Sequence, residues 1–161
     1  MANITNKVVS SFSELYFRDS VIAAGEKADP STWFDATGTL LVPAVKELGT
    51  LSNESNIIEV PEFGAEFKGK LVGQSDAGTL DASLFWSPRD PVHIAVREAN
   101  DTKIPVSMGI LYKSDAAGTD SEFVVFNGFV SSFSVDSAFD DVVSASATVA
   151  INGALYRDSQ A

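Results

Sequence analysis

Side chains able to carry out catalysis are few in this 161-residue chain. His93 is the single histidine, and there is no cysteine, which excludes disulfides, thiolate nucleophiles and cysteine-ligated zinc. The sequence offers no spacing on which a nucleophile, a base and an orienting acid would assemble around His93, and no Gly-x-Ser-x-Gly motif or phosphate-binding glycine loop precedes a helix. We therefore predict no enzyme activity and no cofactor, and we interpret His93 as a solvated helix residue.

Three aspartates fall together on one predicted turn. The oxygens of Asp136, Asp140 and Asp141 have the chemistry to hold a calcium ion. Their spacing differs from that of the twelve-residue calcium loop, which needs Gly at its sixth position and Glu at its twelfth. We interpret them as turn-forming residues without a bound metal.

The charge of the chain argues against binding to duplex nucleic acid. There are 22 acidic residues against 11 basic ones, a net charge of −11, whereas nucleic-acid-binding surfaces cluster Lys and Arg. Residues 114–156 contain no Lys or Arg and carry six carboxylates: Asp115, Asp120, Glu122, Asp136, Asp140 and Asp141. One reading of this stretch is a solvated acidic surface that aids solubility; the other depends on the architecture.

Composition predicts one compact domain. The chain is 45% hydrophobic and 10% aromatic, which is typical of a folded protein with a real core. It lacks an apolar run long enough for a membrane helix, and the first seven residues lack the apolar run of a secretory signal, so we expect synthesis in the cytoplasm. Residues 1–38 show no sustained period and are expected to form an arm or an irregular edge element. Residues 39–161 are expected to form a single β-domain.

Alternation with a period of two predicts that most of this domain is β-strand. Segments 66–72 and 79–86 alternate clearly, and the turn formers at 74–78 predict that they pair as an antiparallel hairpin. Residues 122–135 form an unusually long strand, and residues 142–155 alternate almost throughout. Shorter strands are predicted at 39–42, 57–60 and 104–112. Two glycines are expected to mark a bulge and a bend, respectively: Gly109 and Gly128.

One helix interrupts the strands. Asp90 is suited to cap its first turn, and Pro91 has no N–H to lose at the next position. Apolar residues then recur at helical spacing along one face as far as Ala99. The pattern therefore predicts a mainly β fold, an antiparallel sandwich or barrel, with one short helix at 90–100 and an irregular N-terminal arm.

The C-terminal third of the chain resembles the major tail tube proteins of long-tailed phages (siphophages). The resemblance is carried by Phe-Asn-Gly-Phe-Val-Ser-Ser-Phe-Ser-Val at 126–135, an acidic turn, and Val-Val-Ser-Ala-Ser-Ala-Thr-Val-Ala-Ile-Asn-Gly at 142–153. In those proteins a strand of this type leads through a turn into a closing strand that ends near Ile-x-Gly. The order of elements from residue 57 onward is also similar, including the single helix.

The resemblance implies a structural virion protein that polymerises as stacked hexameric rings into a tube. It also implies a tape measure protein and a tail terminator as partners, assembly in the bacterial host cytoplasm, and DNA that passes through the channel without specific binding. In that arrangement the candidate acidic residues of the channel or of the contacts between rings are Glu122, Asp136, Asp140 and Asp141. The candidate polar residues of the channel wall are Ser144, Ser146 and Thr148.

Two other classes remain open at this point. One is a different ring-forming component, such as a tail terminator, a baseplate ring or a secretion-system tube. The other is a monomeric β-sandwich that binds carbohydrate or acts as an adhesin, which should present exposed aromatic residues above a cleft. Trp33 and Trp86 are the tryptophans available for that purpose, although Trp86 follows the apolar face of its strand.

Overall fold

A computed structural model describes residues 13–23, 26–27, 29–64, 66–113, 121–137 and 139–160. Its strands are β1 (Glu14–Arg18), β2 (Leu40–Leu41), β3 (Val45–Leu48), β4 (Glu54–Val60), β5 (Gly69–Asp76), β6 (Thr79–Phe85), β7 (Val106–Lys113), β8 (Ser121–Asp136), β9 (Ser144–Ile151) and β10 (Tyr156–Gln160). Two helices are described, α1 (Pro30–Asp35) and α2 (Pro91–Thr102). The predicted mainly β, antiparallel fold class is confirmed, with a second short helix that the sequence pattern did not indicate.

Eight strands form one antiparallel sheet in the order β2-β1-β7-β8-β9-β6-β3, with β10 also paired to β8. Strands β2 and β3 lie at opposite ends of this order, yet only residues 42–44 separate them along the chain. Backbone bonds anchor this short link at both ends, from Val42 N–H to Leu15 O and from Phe85 N–H to Ala44 O. The two ends of the sheet therefore approach each other, and the sheet curls around its core.

The core lies on the concave side of the curled sheet. Inward residues of β1, β6, β7, β8 and β9 share one cluster with the apolar face of α2. The helix is built as predicted, because the Asp90 carboxylate accepts hydrogen bonds from the N–H groups of Val92 (2.9 Å) and His93 (3.3 Å). A second, smaller cluster forms on the outer side, where Trp33 of α1 packs over Val125 of β8.

The two halves of strand β8 pair with different strands. Residues 121–128 pair with β7 on one edge, and residues 121–125 pair with β10. Residues 128–136 pair with β9, with a register shift between Val130 and Ser132. Its first half thus lies inside the sheet, whereas residues 129–136 have a strand partner on one edge alone among the residues that the structure describes.

The predicted hairpin between 66–72 and 79–86 is wrong. β5 pairs instead with β4 in a separate two-stranded ribbon, and β6 lies between β9 and β3. The turn chemistry is present, since Asp76 accepts the Gly78 N–H at 2.9 Å and Gly78 has φ of +72°. A turn sets a change of chain direction but does not set which strands pair. Both edges of β6 are already paired, one with β9 over seven residues and the other with β3, so no edge of β6 is left for β5.

The stretch expected as an arm or irregular edge contains a strand within the sheet. Within its described residues, β1 lies between β2 and β7, and Trp33 is fully buried. A five-residue strand is too short to show a period of two by itself, so its pairing with β7 is what defines it. Residues 1–12 lie outside the described part.

At both glycines for which the sequence predicted an irregular backbone, a bulge at Gly109 and a bend at Gly128, the structure shows close packing. Gly109 lies in unshifted register with Tyr16 and Val125, so it marks no bulge. A Cβ there would lie 2.5 Å from Cζ3 of Trp33, so the missing side chain makes room for the indole. At Gly128 a Cβ would lie 2.6 Å from Ala150 O, and the irregularity of β8 comes two residues later.

Candidate functional site

The outer surface of the second half of β8, β9 and β6 is a mainly polar face that no other described residues cover, with Phe85 and Phe129 as its exposed aromatic members. Cross-strand register places its residues in rows, such as Ser134, Ser146 and Ser83, with Glu47 of β3 beside Ser83. We call this surface the hydroxyl face. Its hydroxyl and carboxylate members are Thr79, Asp81, Ser83, Ser132, Ser134, Asp136, Ser144, Ser146 and Thr148.

Strict alternation creates this face. Along β9, Ala145, Ala147 and Val149 are buried in the core, so the intervening residues point outward. In β6, Leu80, Ala82 and Leu84 do the same. Within the face, Thr148 Oγ1 donates to Asp81 Oδ1 at 2.7 Å. Lys46 lies at the border of the face, with Nζ 5.9 Å from the centroid of the Phe85 ring.

The structure brings together some of the residues predicted to act in a channel and separates others. Ser144, Ser146, Thr148 and Asp136 share the hydroxyl face. Asp140 and Asp141 follow in an exposed turn at the end of β8, where Asp140 has φ of +61° and the Asp141 carboxylate accepts the Val142 N–H at 2.7 Å.

Glu122 lies apart from this group. It is fourteen residues before Asp136 on the same strand, beside Tyr112 of β7. It is four residues before Phe126, which faces the core, so the period of two places both residues on the same side of the strand. Glu122 is therefore at the other end and on the other side of β8. Asp115 and Asp120 fall outside the described residues.

Five residues of the face were not predicted from the sequence: Thr79, Asp81, Ser83, Ser132 and Ser134. The alternation of residues 79–86 already separated Asp81 and Ser83 from the buried Leu80 face. What the sequence lacked was the information that β6 lies beside β9. For Ser132 and Ser134, the register shift after Val130 changes the phase of the strand, and a simple period of two cannot reveal that.

The four strands that carry the hydroxyl face, in the order β8-β9-β6-β3, are part of the larger sheet, and among the described residues they have an open edge on each side. Within that part of the chain, residues 129–136 of β8 pair only with β9, and residues 45–48 of β3 pair only with β6. A groove of about 650 Å³ lies against β3, lined by Ser13, Tyr112 and residues 45–49. Open edges present unpaired backbone groups that can add a strand from another chain.

The β4–β5 ribbon is a second surface suited to binding a partner, because it exposes apolar residues on both of its faces. Its cross-strand pairs place Ile57 beside Val72 on one face and Ile58 beside Leu71 on the other. Both faces are solvated, with 60% of Ile57 and 75% of Val72 exposed. An isolated two-stranded ribbon is marginally stable in water, and a ribbon that is apolar on both sides is typical of a surface buried by a partner.

His93 is buried rather than solvated, which corrects the sequence interpretation. None of its surface is exposed. Its Nδ1 accepts the Ser87 N–H at 3.1 Å and its Nε2 lies 2.8 Å from Pro43 O, so Nε2 carries the proton and the ring is neutral. The residue lies beside the apolar stripe of α2, and the chain at Pro43 and Ser87 covers it from outside the helix, which helical spacing does not reveal.

Neither tryptophan is placed to bind a ligand. Trp33 is fully buried, and its Nε1 donates to Ser107 Oγ at 3.0 Å. Trp86 packs between His93 and Phe133. The exposed aromatic residues that a carbohydrate-binding cleft would need are therefore not the tryptophans.

The described residues hold no group of three or more His, Asp or Glu side chains arranged for a metal ion. In the same part of the chain, no helix is both long enough and apolar enough to cross a membrane.

Comparison with known proteins identifies the fold. No protein-family model matches the chain, and no curated protein sequence matches it. Among solved structures, the SPP1 tail tube is similar over 96% of this chain and 80% of that chain, with 14% identity and a TM-score of 0.63. The chain has the fold of tail tube proteins, and the resemblance inferred from the sequence is confirmed at that level.

Related assemblies share this fold. A sheath/tube terminator of the PVC extracellular contractile injection system is similar over 97% of this chain and 99% of that chain, with 13% identity and a TM-score of 0.67. The tube-terminating cap of the anti-feeding prophage covers 99% of each chain, with 15% identity and a TM-score of 0.64. Tubes, terminators and caps are thus built on one architecture.

Proposed function

We propose that this chain is a structural virion protein whose copies join into hexameric rings and stack into a phage tail tube. The observation that carries this proposal is the set of four strands, β8-β9-β6-β3, that has one mainly polar face and, among the described residues, an open edge on each side. The channel would serve DNA ejection into the host, and the protein acts as a scaffold rather than as an enzyme.

The directions of the edge strands suit a ring. Because neighbours alternate, β8 and β3 run in opposite directions within one copy. In copies related by rotation, β3 of one copy therefore meets β8 of the next in an antiparallel join, like every other pair in the sheet. Pairing the open edges in this way also removes their tendency to aggregate.

Six copies with four strands each would give a barrel of 24 strands, in keeping with the C6 symmetry of a similar gene transfer agent tail. At about 4.8 Å per strand, the circumference is about 115 Å and the diameter at least about 37 Å. Barrels of 16–18 strands already enclose an aqueous channel, so 24 strands leave an open bore.

The hydroxyl face would line that bore. Its carboxylates, Asp81 and Asp136, repel phosphates, and among the residues described for this face Lys46, at the border, is the one cation that DNA could meet. Six copies at −11 give 6 × −11 = −66 for a ring. Asp140 and Asp141, at the end of β8, would lie at the rim, where adjacent rings meet.

The β4–β5 ribbon would make the contacts between stacked rings. A contact between two different surfaces of the same chain continues from copy to copy instead of closing, which is what a tube requires along its axis. The proposed partners are further copies of the chain, a tape measure protein inside the tube and a tail terminator at its end.

A second candidate function is that of a terminator or cap ring. It is favoured by the similarity to the PVC terminator and the anti-feeding prophage cap, whose TM-scores equal or exceed that of the SPP1 tube. Electron microscopy of the purified protein separates the two functions. Long hollow tubes support the tail tube, and short capped rings support the terminator.

Cysteine cross-linking tests the ring itself, because the native chain has no cysteine. Glu47→Cys on β3 is combined in turn with Ser132→Cys, Ser134→Cys or Asp136→Cys on β8. Within one copy Glu47 and Ser134 are three strand spacings apart, about 14 Å, too far for a disulfide. Oxidation should therefore link different copies.

We expect one of the three double variants to give a ladder on a non-reducing gel that stops at the ring size. The single variants, as controls, should stop at dimers. If all three double variants remain monomeric under conditions in which particles are visible, the β3–β8 join is wrong. If microscopy shows isolated small particles at every concentration, the ring-forming function is wrong.

A further inference from the structure

Lys103 occupies an unusual position at the open edge of β8. Strand β7 ends its pairing with Val106 opposite Gly128, and Pro105 before it has no N–H with which to continue. Two residues further back, Lys103 Nζ donates to Ser131 O at 3.2 Å and to Asn100 Oδ1 at 2.8 Å. The ammonium group thus occupies the edge just where the next strand would have paired.

The backbone of Lys103 is in a conformation that favours glycine. Lys103 ends α2 with φ of +56° and ψ of +28°, and its N–H donates to Ala99 O at 3.0 Å. Glycine is the usual residue at such a left-handed helix end, so lysine is present there against the local preference. A residue kept in an unfavourable conformation is a reason to look for a role of its side chain.

The contacted strand residue is irregular too. Ser131 lies at the register shift between Val130 and Ser132, and its Oγ donates to Thr148 O at 3.0 Å. Lysine side chains and bulges are two of the devices by which natural sheets protect an open edge from pairing with other chains. Both meet here at one residue of β8.

We propose that Lys103 guards the open edge of β8 in the free subunit and is displaced from Ser131 O when β3 of a second copy pairs there. This inference rests on the proposed function and adds a control of its assembly step. This contact slows the joining of free subunits to one another. Growth is then favoured at the end of an existing tube, because that end offers an incoming subunit its complete binding surface at once.

The proposal predicts a result opposite in sign to simple charge repulsion. Removing a lysine takes the net charge from −11 to −12, which by itself slows the association of like-charged copies. Removing the guard instead exposes Ser131 O and accelerates association. The direction of the change therefore distinguishes the two effects.

Lys103→Ala is the test variant, because alanine keeps a Cβ in the same left-handed conformation and removes only the rest of the side chain. Lys27→Ala is the matched control, because it makes the same charge change at an exposed residue away from the open edge. Its Nζ lies 5.8 Å from the ring of Tyr156 in β10, the strand that pairs with the first half of β8. Lys103→Arg keeps a cation within reach of the edge. Unseeded assembly of the full chain is followed at fixed salt by light scattering and electron microscopy, with the free energy of unfolding measured alongside.

We expect Lys103→Ala to lower the concentration needed for unseeded assembly about two- to fivefold, the range of one exposed charged contact. Lys27→Ala should leave that concentration equal or higher, and Lys103→Arg should restore the native value. If Lys103→Ala assembles no more readily than the native chain while native tubes form, the guard is wrong and the proposed function stands. If no variant forms rings or tubes under any condition, both are wrong.

Discussion

At the scale of single residues, several polar side chains act in packing rather than in chemistry. His93 joins the start of α2 to the chain at Ser87 and at Pro43, through one accepted and one donated hydrogen bond. Arg18, although buried, is held by Glu26 and lies 5.6 Å from the Trp33 ring centroid. Both residues hold irregular segments of the chain against helices or strands. The sequence around them does not predict this role.

His93→Ala is expected to lower the free energy of unfolding by about 2–4 kcal/mol, because it leaves a cavity and strips two backbone groups of their partner. Denaturant unfolding of the free subunit measures this change. Glu98→Ala, at an exposed position of the same helix, is the control and should change it by less than about 0.5 kcal/mol. Equal midpoints for the two variants would contradict the role assigned to His93.

The pair of Glu26 with Arg18 predicts a sensitivity to acid. Hydrogen bonds from Arg18, at 2.8 and 3.0 Å, lower the pKa of Glu26 below its ordinary value of 4.5. Because the folded pKa is the lower one, the stabilisation is complete above the unfolded pKa and is lost as pH falls through the folded value.

Glu26→Gln should therefore reduce the free energy of unfolding at pH 7 by about 1 kcal/mol. The difference from the native chain should shrink toward zero at a pH below the lowered pKa of Glu26, where both side chains are neutral. Urea unfolding at several pH values measures it. A difference that stays constant down to that pH would show that the carboxylate charge contributes nothing.

At the scale of elements, the sequence predicts strand character better than strand pairing. The alternation of 79–86 correctly separates an apolar side from a polar side, and so does that of 144–151 within the predicted strand 142–155, which ends earlier than predicted. Asp90 correctly marks the start of α2. The neighbours of each strand come from long-range packing, which is why the predicted 66–72 hairpin fails and why the hydroxyl face was only partly foreseen. Short β1 becomes a strand only because β7 provides its register.

Gly109 of β7 is packed tightly against the Trp33 indole of α1. Gly109→Ala should lower the free energy of unfolding by about 1–3 kcal/mol, since the new methyl group must displace the Trp33 indole at 2.5 Å. Thermal or denaturant unfolding with tryptophan fluorescence as the signal reports both the loss and the movement of the indole. Gly69→Ala is the control, because its Cβ would meet Val60 O at an ordinary 3.7 Å; a similar loss in both variants would argue against the packing explanation.

The β4–β5 ribbon predicts a separation of folding from assembly. Ile57→Thr alters a residue that is 60% exposed in the free subunit, so the free energy of unfolding should change by less than about 0.5 kcal/mol. Tube formation should be strongly reduced, because the apolar contact between rings is lost. Val21→Thr changes another half-exposed residue, outside the ribbon, and should assemble normally when both are examined by sedimentation and microscopy. Normal tubes from Ile57→Thr would remove the ribbon from the contacts between rings.

At the scale of the whole molecule, net charge opposes the association that the open edges favour. Copies at −11 repel each other, and salt screens that repulsion over about 10 Å at 0.1 M and about 3 Å at 1 M. We expect this repulsion to oppose the association of free subunits through their open edges and the apolar β4–β5 ribbon.

Raising the salt concentration from about 0.1 to about 1 M should therefore lower the concentration needed for tube formation. Light scattering across a salt series measures that concentration, and a neutral osmolyte at matched osmolality is the control. An assembly held together chiefly by ion pairs between copies would respond in the opposite direction, weakening as salt is added.

The opposite directions of β8 and β3 have one more consequence. In the proposed ring each copy contributes an even number of strands, so hydrogen bonding at the join would be satisfied equally well by five, six or seven copies. Backbone pairing alone therefore sets no stoichiometry. The number of copies in a ring would then depend on the angle between successive copies, and so on the volume of the side chains on the inner and outer faces of the sheet. A few substitutions far from the join would therefore suffice to produce tubes of another diameter.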